Sequence, residues 1–383
     1  MERIKQYYIR NITYCRAVMV MTALIICTQL LSLITIWADF YTDHIYTFIR
    51  DPISRIIEPL NIALGEILMY IGATVMVMSV VILILLIFFR KRKGYVAFSS
   101  GFIKSLIFFI LIVLLIYSTQ WLTPYRSSVL GNKEVTEYKY TTEQIRTLYI
   151  YIVDNINEEC GNVLRDENGN IIYDSKEETE QKVSVAMNGI SNEYKRLNGY
   201  YPTIKPALCS DVLDWMKIGG YTYPYTMEMT YNKYVNRFYF PTLYAHESSH
   251  HMGYYKEHEA NFLSFVSCSK SDDPLLRYSA YYYMLRYIKD AYYKASLASE
   301  KKDDYLRDIK EHHLLAQVIT DVNNANKEAE ELYLSDEHLL EDYADEVSEI
   351  SEVGWDTQSQ ILNEYDYENV VFLLLQYYDG KLY

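Results

Sequence analysis

Cysteine is scarce in this chain, with five residues among 383. Cys15 and Cys27 lie within or beside an apolar run near the N-terminus, whereas Cys160, Cys209 and Cys268 lie in the polar remainder. No cysteine has another at the short spacing of a zinc finger or zinc ribbon, and the three in the remainder are an odd number. The sequence therefore predicts neither a cysteine-bound metal nor a disulfide framework.

Basic charge is sparse after residue 125. Residues 1–125 contain 11 basic and 6 acidic side chains, which leaves 25 basic and 44 acidic side chains in residues 126–383. A strongly acidic domain repels nucleic-acid phosphates and anionic lipid headgroups. This composition excludes nucleic acid as an expected partner and argues against a polybasic lipid-binding surface.

Long apolar runs, by contrast, dominate the N-terminal third. Three runs, at residues 17–38, 67–89 and 102–122, contain a single charged side chain, that of Lys104. About twenty residues of helix cross roughly 30 Å of hydrocarbon. We therefore expect a membrane domain over residues 1–125 with three transmembrane helices and the lipid bilayer as a partner, rather than three buried core helices.

The basic residues that flank these runs predict an orientation. Four precede the first run and five lie in or near the connection from the second run to the third. The connection from the first run to the second has only Arg50 and Arg55, set among acidic residues. Because basic loops stay in the cytoplasm, we expect a multi-pass plasma-membrane protein with a cytoplasmic N-terminus and an extracytoplasmic domain over residues 126–383.

This outer domain is expected to be mainly helical. Thr141 with Gln144, and Ser175 with Glu178, have the pattern of a capping box, in which an N-cap side chain and the side chain three residues later satisfy free N–H groups. The apolar pattern that follows Ser175 continues to Leu197. Further helices are predicted over residues 274–295, 303–332 and 370–378.

The strongest motif is the pentapeptide His246-Glu247-Ser248-Ser249-His250. Two histidines four residues apart lie on one face of a helix, so that both imidazoles can bind one metal ion. Glu247 lies beside them, where a carboxylate can accept the proton of a metal-activated water. The pattern predicts Zn²⁺ as cofactor with His246 and His250 as ligands and Glu247 as catalytic base; a helix pair without metal is the alternative.

A third ligand is expected from a second helix. Gly253 ends the motif helix soon after His250, and the pattern of residues 256–268 predicts the next helix. Glu257 and Glu259 both lie at its start, but two residues of helix turn the side chain by about 200°. Only one of them can face the metal, and Glu257 is the preferred ligand with Glu259 as the alternative.

Three segments resemble an uncharacterised bacterial membrane-protein family. They are YPYTMEM from Tyr223, PTLYAHESSHHMGYYKEHEANFLSF from Pro241 and LRYSAY from Leu276. That family is catalogued as a domain of unknown function, and its members are regarded as zinc metallopeptidases. The resemblance covers nearly the whole chain and is strongest over residues 246–262, and it implies a mainly α (α+β) zincin-like metallopeptidase domain after the membrane helices.

The string from Glu257 to Asn261, E-x-x-A-N, also resembles the E-x-x-A-D element of integral-membrane gluzincins. There the glutamate is the third zinc ligand and the aspartate supports the site through a hydrogen bond. The resemblance implies these roles for Glu257 and Asn261. This chain departs from the pattern in having asparagine, which removes a charge, and in the short gap between His250 and Glu257. A metzincin site is excluded because its third histidine would fall at Lys256.

The segment from Tyr225 to Val235, upstream of the motif, is predicted to be a strand or hairpin. An edge strand in this place can pair with an extended peptide, which makes Thr226 and Glu228 candidates for contact with a substrate. An ordinary strand of the sheet is the alternative. The tyrosine-rich segment from Arg277 to Tyr283 could supply a group that stabilises an oxyanion, but the sequence does not select one.

These observations predict a membrane-anchored, zinc-dependent metallopeptidase, a hydrolase that acts on a peptide or protein substrate. The alternative from a different class is a metal-binding envelope sensor or scaffold without proteolytic turnover. A structural membrane protein that carries the motif by chance is a third possibility. The sequence sets neither the cleavage specificity nor the oligomeric state.

Overall fold

The computed structural model describes residues 2–130, 140–336 and 366–383, together with residues 338, 344, 347 and 348. Most of the polar segment at residues 127–140 and of the acidic stretch at residues 336–352 lies outside the described residues. The chain divides into two compact units: residues 1–128 with 223–228, and residues 129–222 with 229–383.

The first unit is helical. Its helices are α1 (Glu2–Arg10), α2 (Ile12–Ser32), α3 (Thr35–Phe40), α4 (Thr47–Ile57), α5 (Leu64–Phe89), α6 (Lys93–Tyr117) and α7 (Thr123–Tyr125). Two π-helical segments, Tyr41–Tyr46 and Ser118–Leu122, continue α3 into α4 and α6 into α7 without a break.

Three helices of this unit are long and apolar enough to cross a membrane: Ile12–Ser32, Leu64–Phe89 and Lys93–Tyr125. This confirms the three predicted apolar helices, although the first ends at Ser32 instead of residue 38. The chain turns there because Ile34 is extended. Arg126 satisfies the free end of α2, since its guanidinium donates to Ser32 Oγ at 2.6 Å and to the Gln29 carbonyl at 3.3 Å.

The second unit is mainly helical with a small sheet. Its helices are α8 (Thr142–Asn162), α9 (Lys176–Gly189), α10 (Ser210–Trp215), α11 (Phe240–His251), α12 (Glu257–Ser269), α13 (Pro274–Ala298), α14 (Lys302–Glu311), α15 (Ala316–Ser335) and α16 (Asp366–Tyr378). The strands are β1 (Lys205–Pro206), β2 (Gly220–Tyr223) and β3 (Glu228–Tyr231), in the order β1-β3-β2, with β1 parallel to β3 and Lys205 opposite Thr230.

Both capping boxes are confirmed. Thr141 and Ser175 each accept a hydrogen bond from the backbone N–H three residues later, and the Gln144 and Glu178 side chains return the contact. The helix that begins at Lys176 nevertheless ends at Gly189, well before Leu197.

The prediction of one helix over residues 303–332 is wrong, because the chain breaks between α14 and α15. Asn157 of α8 stabilises the break: its side-chain amide donates to the His313 carbonyl at 3.0 Å, and its oxygen accepts from the Leu315 N–H at 2.9 Å. A contact between residues so distant in sequence leaves no local pattern.

The core of this unit lies among α8, α11, α12 and α13. Apolar side chains from all four helices join one buried cluster, which includes Ile152, Tyr244, Phe265 and Met284. Helix α11, which carries the histidine pair, is therefore held on several sides by other helices.

Candidate metal centre

The histidine helix has a proline in its first turn and ends just before Gly253, where the sequence predicts its end. Pro241 lies in the first turn of α11, where a missing N–H costs nothing. At the other end Gly253 has a φ of 95°. Its N–H donates to the His250 carbonyl at 2.9 Å and the Tyr254 N–H donates to the Ser249 carbonyl at 3.0 Å, which is the Schellman arrangement. This turn reverses the chain and places α12 beside α11.

The reversal brings three predicted ligands together. His246 Nε2 lies 3.1 Å from His250 Nε2, and the two Glu257 oxygens lie 3.2 Å from His246 Nε2 and 3.4 Å from His250 Nε2. Four-coordinate zinc with bonds of about 2.0–2.2 Å holds its ligand atoms roughly 3.3–3.6 Å apart. The three side chains thus fit a zinc ion by both chemistry and spacing, although their role as ligands stays a prediction.

Hydrogen bonds orient both imidazoles. His246 Nδ1 lies 2.9 Å from Asn261 Oδ1, and His250 Nδ1 lies 2.9 Å from the Tyr254 carbonyl oxygen. An oxygen acceptor at Nδ1 favours the tautomer with its proton there, which leaves the lone pair of Nε2 free for a metal. Asn261 therefore contacts His246, and its supporting role at a metal site stays a prediction.

The charges of the three groups are coupled. Burial lowers the pKa of His250, but the Glu257 carboxylate outweighs it and raises that pKa to about 9. Burial likewise raises the pKa of Glu257, and the two imidazoles outweigh it and hold that pKa well below its usual value. In this protonation state a proton competes with a metal ion for His250, so metal affinity should rise with pH.

Glu247 lies beside this cluster and is 2% exposed. The Thr222 hydroxyl lies 3.0 Å from Glu247 Oε2 and 3.1 Å from the Glu247 carbonyl oxygen, and it can donate to either. Burial raises the pKa of the Glu247 carboxyl, while His246 and His250 oppose the rise. A carboxylate with a raised pKa is a stronger base than one in water.

Glu259, the alternative ligand, points elsewhere. It is buried, and its Oε1 accepts a hydrogen bond from the Leu130 N–H at 2.6 Å. Lys256 Nζ lies 4.0 Å from the same oxygen. The carboxylate of Glu259 thus fastens the chain at Leu130, whereas Glu257 is the one that joins the histidines.

Thr226 and Glu228 do not both lie on a strand, in contrast to the prediction from the sequence. Thr226 lies in the turn before β3, and Glu228 is the first residue of β3. Both are buried. The Glu228 carboxylate accepts from the Leu64 N–H at 3.1 Å and the Gly65 N–H at 2.7 Å, where it satisfies the start of α5. Each of the two carboxylate oxygens of Glu228 therefore accepts a hydrogen bond from this helix.

Several residues that shape the site escaped the sequence analysis. Thr222 contacts the Glu247 carboxylate, and Gly220 leaves room for that carboxylate, since a Cβ at residue 220 would lie 3.2 Å from Glu247 Oε1 and 2.6 Å from the Thr230 carbonyl. Tyr283 donates to Asn261 Oδ1 at 3.1 Å. The adjacent glycines 219 and 220, so close to the motif, were the one available signal for a close backbone approach.

The fold and the site together define a mainly helical protein with three candidate membrane-spanning helices and a His-His-Glu cluster. The chain belongs to the family described as "Protein of unknown function (DUF3810)", which matches residues 41–358. This confirms the predicted resemblance to a domain of unknown function. Comparison with curated proteins and with solved structures found no match.

Proposed function

We propose that this chain is a membrane-anchored, zinc-dependent metallopeptidase that hydrolyses peptide bonds. The observation that carries the proposal is the set of spacings among His246, His250 and Glu257, each between 3.1 and 3.4 Å, with the buried Glu247 beside them. A purely structural metal site does not need a base next to its ligands. The arrangement therefore favours hydrolysis over a sensor or scaffold role.

Zinc bound by these three side chains would supply Lewis-acid chemistry, which lowers the pKa of water and polarises a carbonyl group. Glu247 accepts a proton from the attacking water and then passes it to the leaving amine, so that the carboxylate is restored after each cycle. Thr222 holds Glu247 in position through its hydroxyl. Asn261 and the Tyr254 carbonyl keep the two imidazoles in the tautomer that binds metal.

The edge strand β2 is the element that we propose for substrate contact, in place of Thr226 and Glu228. It lies at the end of the strand order β1-β3-β2 and carries Thr222, whose hydroxyl contacts Glu247. Extended peptides add to exposed strand edges through backbone hydrogen bonds. A peptide bound along β2 would have its backbone close to the base.

The three apolar helices support a location in a membrane. The basic residues before the first and between the second and third predict a cytoplasmic N-terminus. We accordingly propose that the second unit lies outside the cytoplasm. Protease protection of a C-terminal tag in intact cells would contradict this orientation.

The test uses the full-length chain in detergent, with zinc content and hydrolysis of a peptide library measured on the same samples. Glu247→Gln should retain zinc and lose about 10²–10⁴-fold in rate, the usual contribution of a general base. His246→Ala should lose zinc and activity together. His313→Ala removes an exposed histidine of the same unit and should change neither.

Two outcomes would contradict the proposal in different ways. If the wild type binds zinc but cleaves no peptide, the site serves a sensor or scaffold. If His246→Ala keeps the zinc content of the wild type, the metal is bound elsewhere and the ligand assignment is wrong.

A further inference from the structure

A hydrogen-bonded row of side chains extends from the candidate metal centre along α13. Tyr283 and Tyr287 lie one turn apart on this helix, and their hydroxyl oxygens are 3.1 Å from each other. Arg286 Nη2 lies 3.1 Å from the Tyr283 oxygen and 2.5 Å from the Tyr287 oxygen. The Tyr283 hydroxyl in turn lies 3.1 Å from Asn261 Oδ1. The row thus ends on the residue that contacts His246.

The chemistry of arginine gives this row a direction. A guanidinium has only donors, so both tyrosine oxygens accept from Arg286. Tyr287 can then donate its proton to the Tyr283 oxygen, which fills both acceptor positions of that oxygen. The Tyr283 hydroxyl can then donate to Asn261 Oδ1, which lies 3.1 Å away. This contact turns Oδ1 of Asn261, rather than its NH₂, toward Tyr283.

The same atom of Asn261 faces His246 Nδ1, at 2.9 Å. Because Oδ1 can only accept, the proton of the neutral imidazole must lie on Nδ1. The Nε2 lone pair then points to the place where Glu257 and His250 converge. The tautomer of His246 is therefore linked through Asn261 to the Tyr283 hydroxyl.

We propose that Tyr283 is a positioning residue of the metal centre, which fixes the Asn261 amide so that Asn261 fixes His246 for metal binding. This inference rests on the metal site of the proposed function and does not depend on the reaction that the site performs. Arg286 and Tyr287 act by setting the direction of the Tyr283 hydroxyl.

The test measures zinc affinity of the full-length chain by competition with a chromophoric chelator, without substrate. Removal of a group that supports a metal ligand lowers affinity by about 10–100-fold, and Tyr283→Phe, which acts through one intermediate, should lower it about tenfold. Tyr282→Phe is the matched control, because Tyr282 is the neighbouring residue and packs against Phe238. It should leave the affinity unchanged.

A double-mutant cycle with Asn261→Ala separates positioning from general damage to the fold. If Tyr283 acts through Asn261, Tyr283→Phe should have no further effect on zinc affinity in the Asn261→Ala chain. The Co²⁺ visible spectrum should change with Tyr283→Phe and stay unchanged with Tyr282→Phe, since it reports the geometry of the ligands.

The proposal is overturned if Tyr283→Phe binds zinc as tightly as the wild type, or if its effect multiplies that of Asn261→Ala. A wild type that binds zinc but cleaves no peptide would contradict the proposed function. The double-mutant cycle could still be measured, because it uses zinc affinity alone. A wild type that binds no zinc would overturn the metal site, and this inference with it.

Discussion

Helix α5 exposes most of its apolar side chains, whereas the helix pair α11 and α12 buries nearly all of its side chains, carboxylates included. Along α5, Met76, Val77 and Ile87 are each more than 60% exposed, whereas the small polar Ser79 is buried. Along α11 and α12, Glu247 and Glu259 are at most 2% exposed and lie among apolar neighbours. An apolar surface of this extent is stable only in an apolar medium.

Buried polar groups need hydrogen-bond partners in both regions, but the partners come from different places. In α5 the Ser79 hydroxyl donates to the Val75 carbonyl at 2.6 Å within its own helix. In the site helices the buried carboxylates depend on partners from other segments, such as Thr222 for Glu247 and Leu130 for Glu259. Loss of such a partner leaves a buried charge, which is costly.

The largest effect is expected within the site helices, from the two glutamates of α12. Glu257→Gln removes a candidate ligand and should lower zinc affinity by roughly a hundredfold or more, beyond the 10–100-fold loss typical of supporting groups. Glu259→Gln is the matched change two residues away and should leave zinc bound, since Glu259 contacts Leu130. Chelator competition measures both. Equal losses in the two variants would contradict the assignment of Glu257.

The second prediction compares the two regions directly. Val77 of α5 and Val185 of α9 are 65% and 72% exposed, and both lie within helices. Val77→Arg should cost about 2.5–3.5 kcal/mol on membrane insertion, the cost of arginine near the centre of a spanning helix. Val185→Arg should change stability by no more than about 0.5 kcal/mol, because it lies on a polar surface.

The yield of each variant in the membrane fraction and its thermal stability in detergent provide the measurement. If Val77→Arg inserts as well as Val185→Arg, α5 does not lie in lipid.

A smaller effect is expected from Gly220 in β2. The Cβ of Gly220→Ala would lie 2.6 Å from the Thr230 carbonyl oxygen, a backbone atom that cannot move freely. We expect a loss of about 1–3 kcal/mol of stability and slower hydrolysis with zinc retained, because the strand is pushed from Glu247. Gly219→Ala meets Leu243 Cδ1 at 3.1 Å, a side-chain atom that can shift, and should cost less.

Much of this architecture is local and could be predicted from the sequence. The apolar runs, the Pro241 and Gly253 boundaries of α11 and the two capping boxes depend on neighbouring residues alone. The spacing of His246 and His250 needs only helical geometry. The choice between Glu257 and Glu259 as candidate ligand also depends on the direction in which α12 leaves the turn at Gly253.

The supporting contacts could not be predicted, because each joins residues far apart in sequence. Thr222 is 25 residues from Glu247, and Tyr283 is 22 residues from Asn261. Glu228 shows that closeness in sequence to the motif can also mislead. Its place near the motif suggested contact with a substrate, but its carboxylate satisfies the N–H groups at the start of α5.

The smallest effect is expected at the exposed end of the tyrosine row. Arg286→Met removes the donor that orients Tyr283 and Tyr287, but Arg286 is exposed, so that water can take the place of its guanidinium. Zinc affinity should therefore fall only about two- to fivefold, less than for Tyr283→Phe. Lys294→Met on the same helix removes an exposed charge paired with Asp290 and should have no effect. A loss for Arg286→Met as large as for Tyr283→Phe would contradict this expectation and would mean that water does not replace the guanidinium.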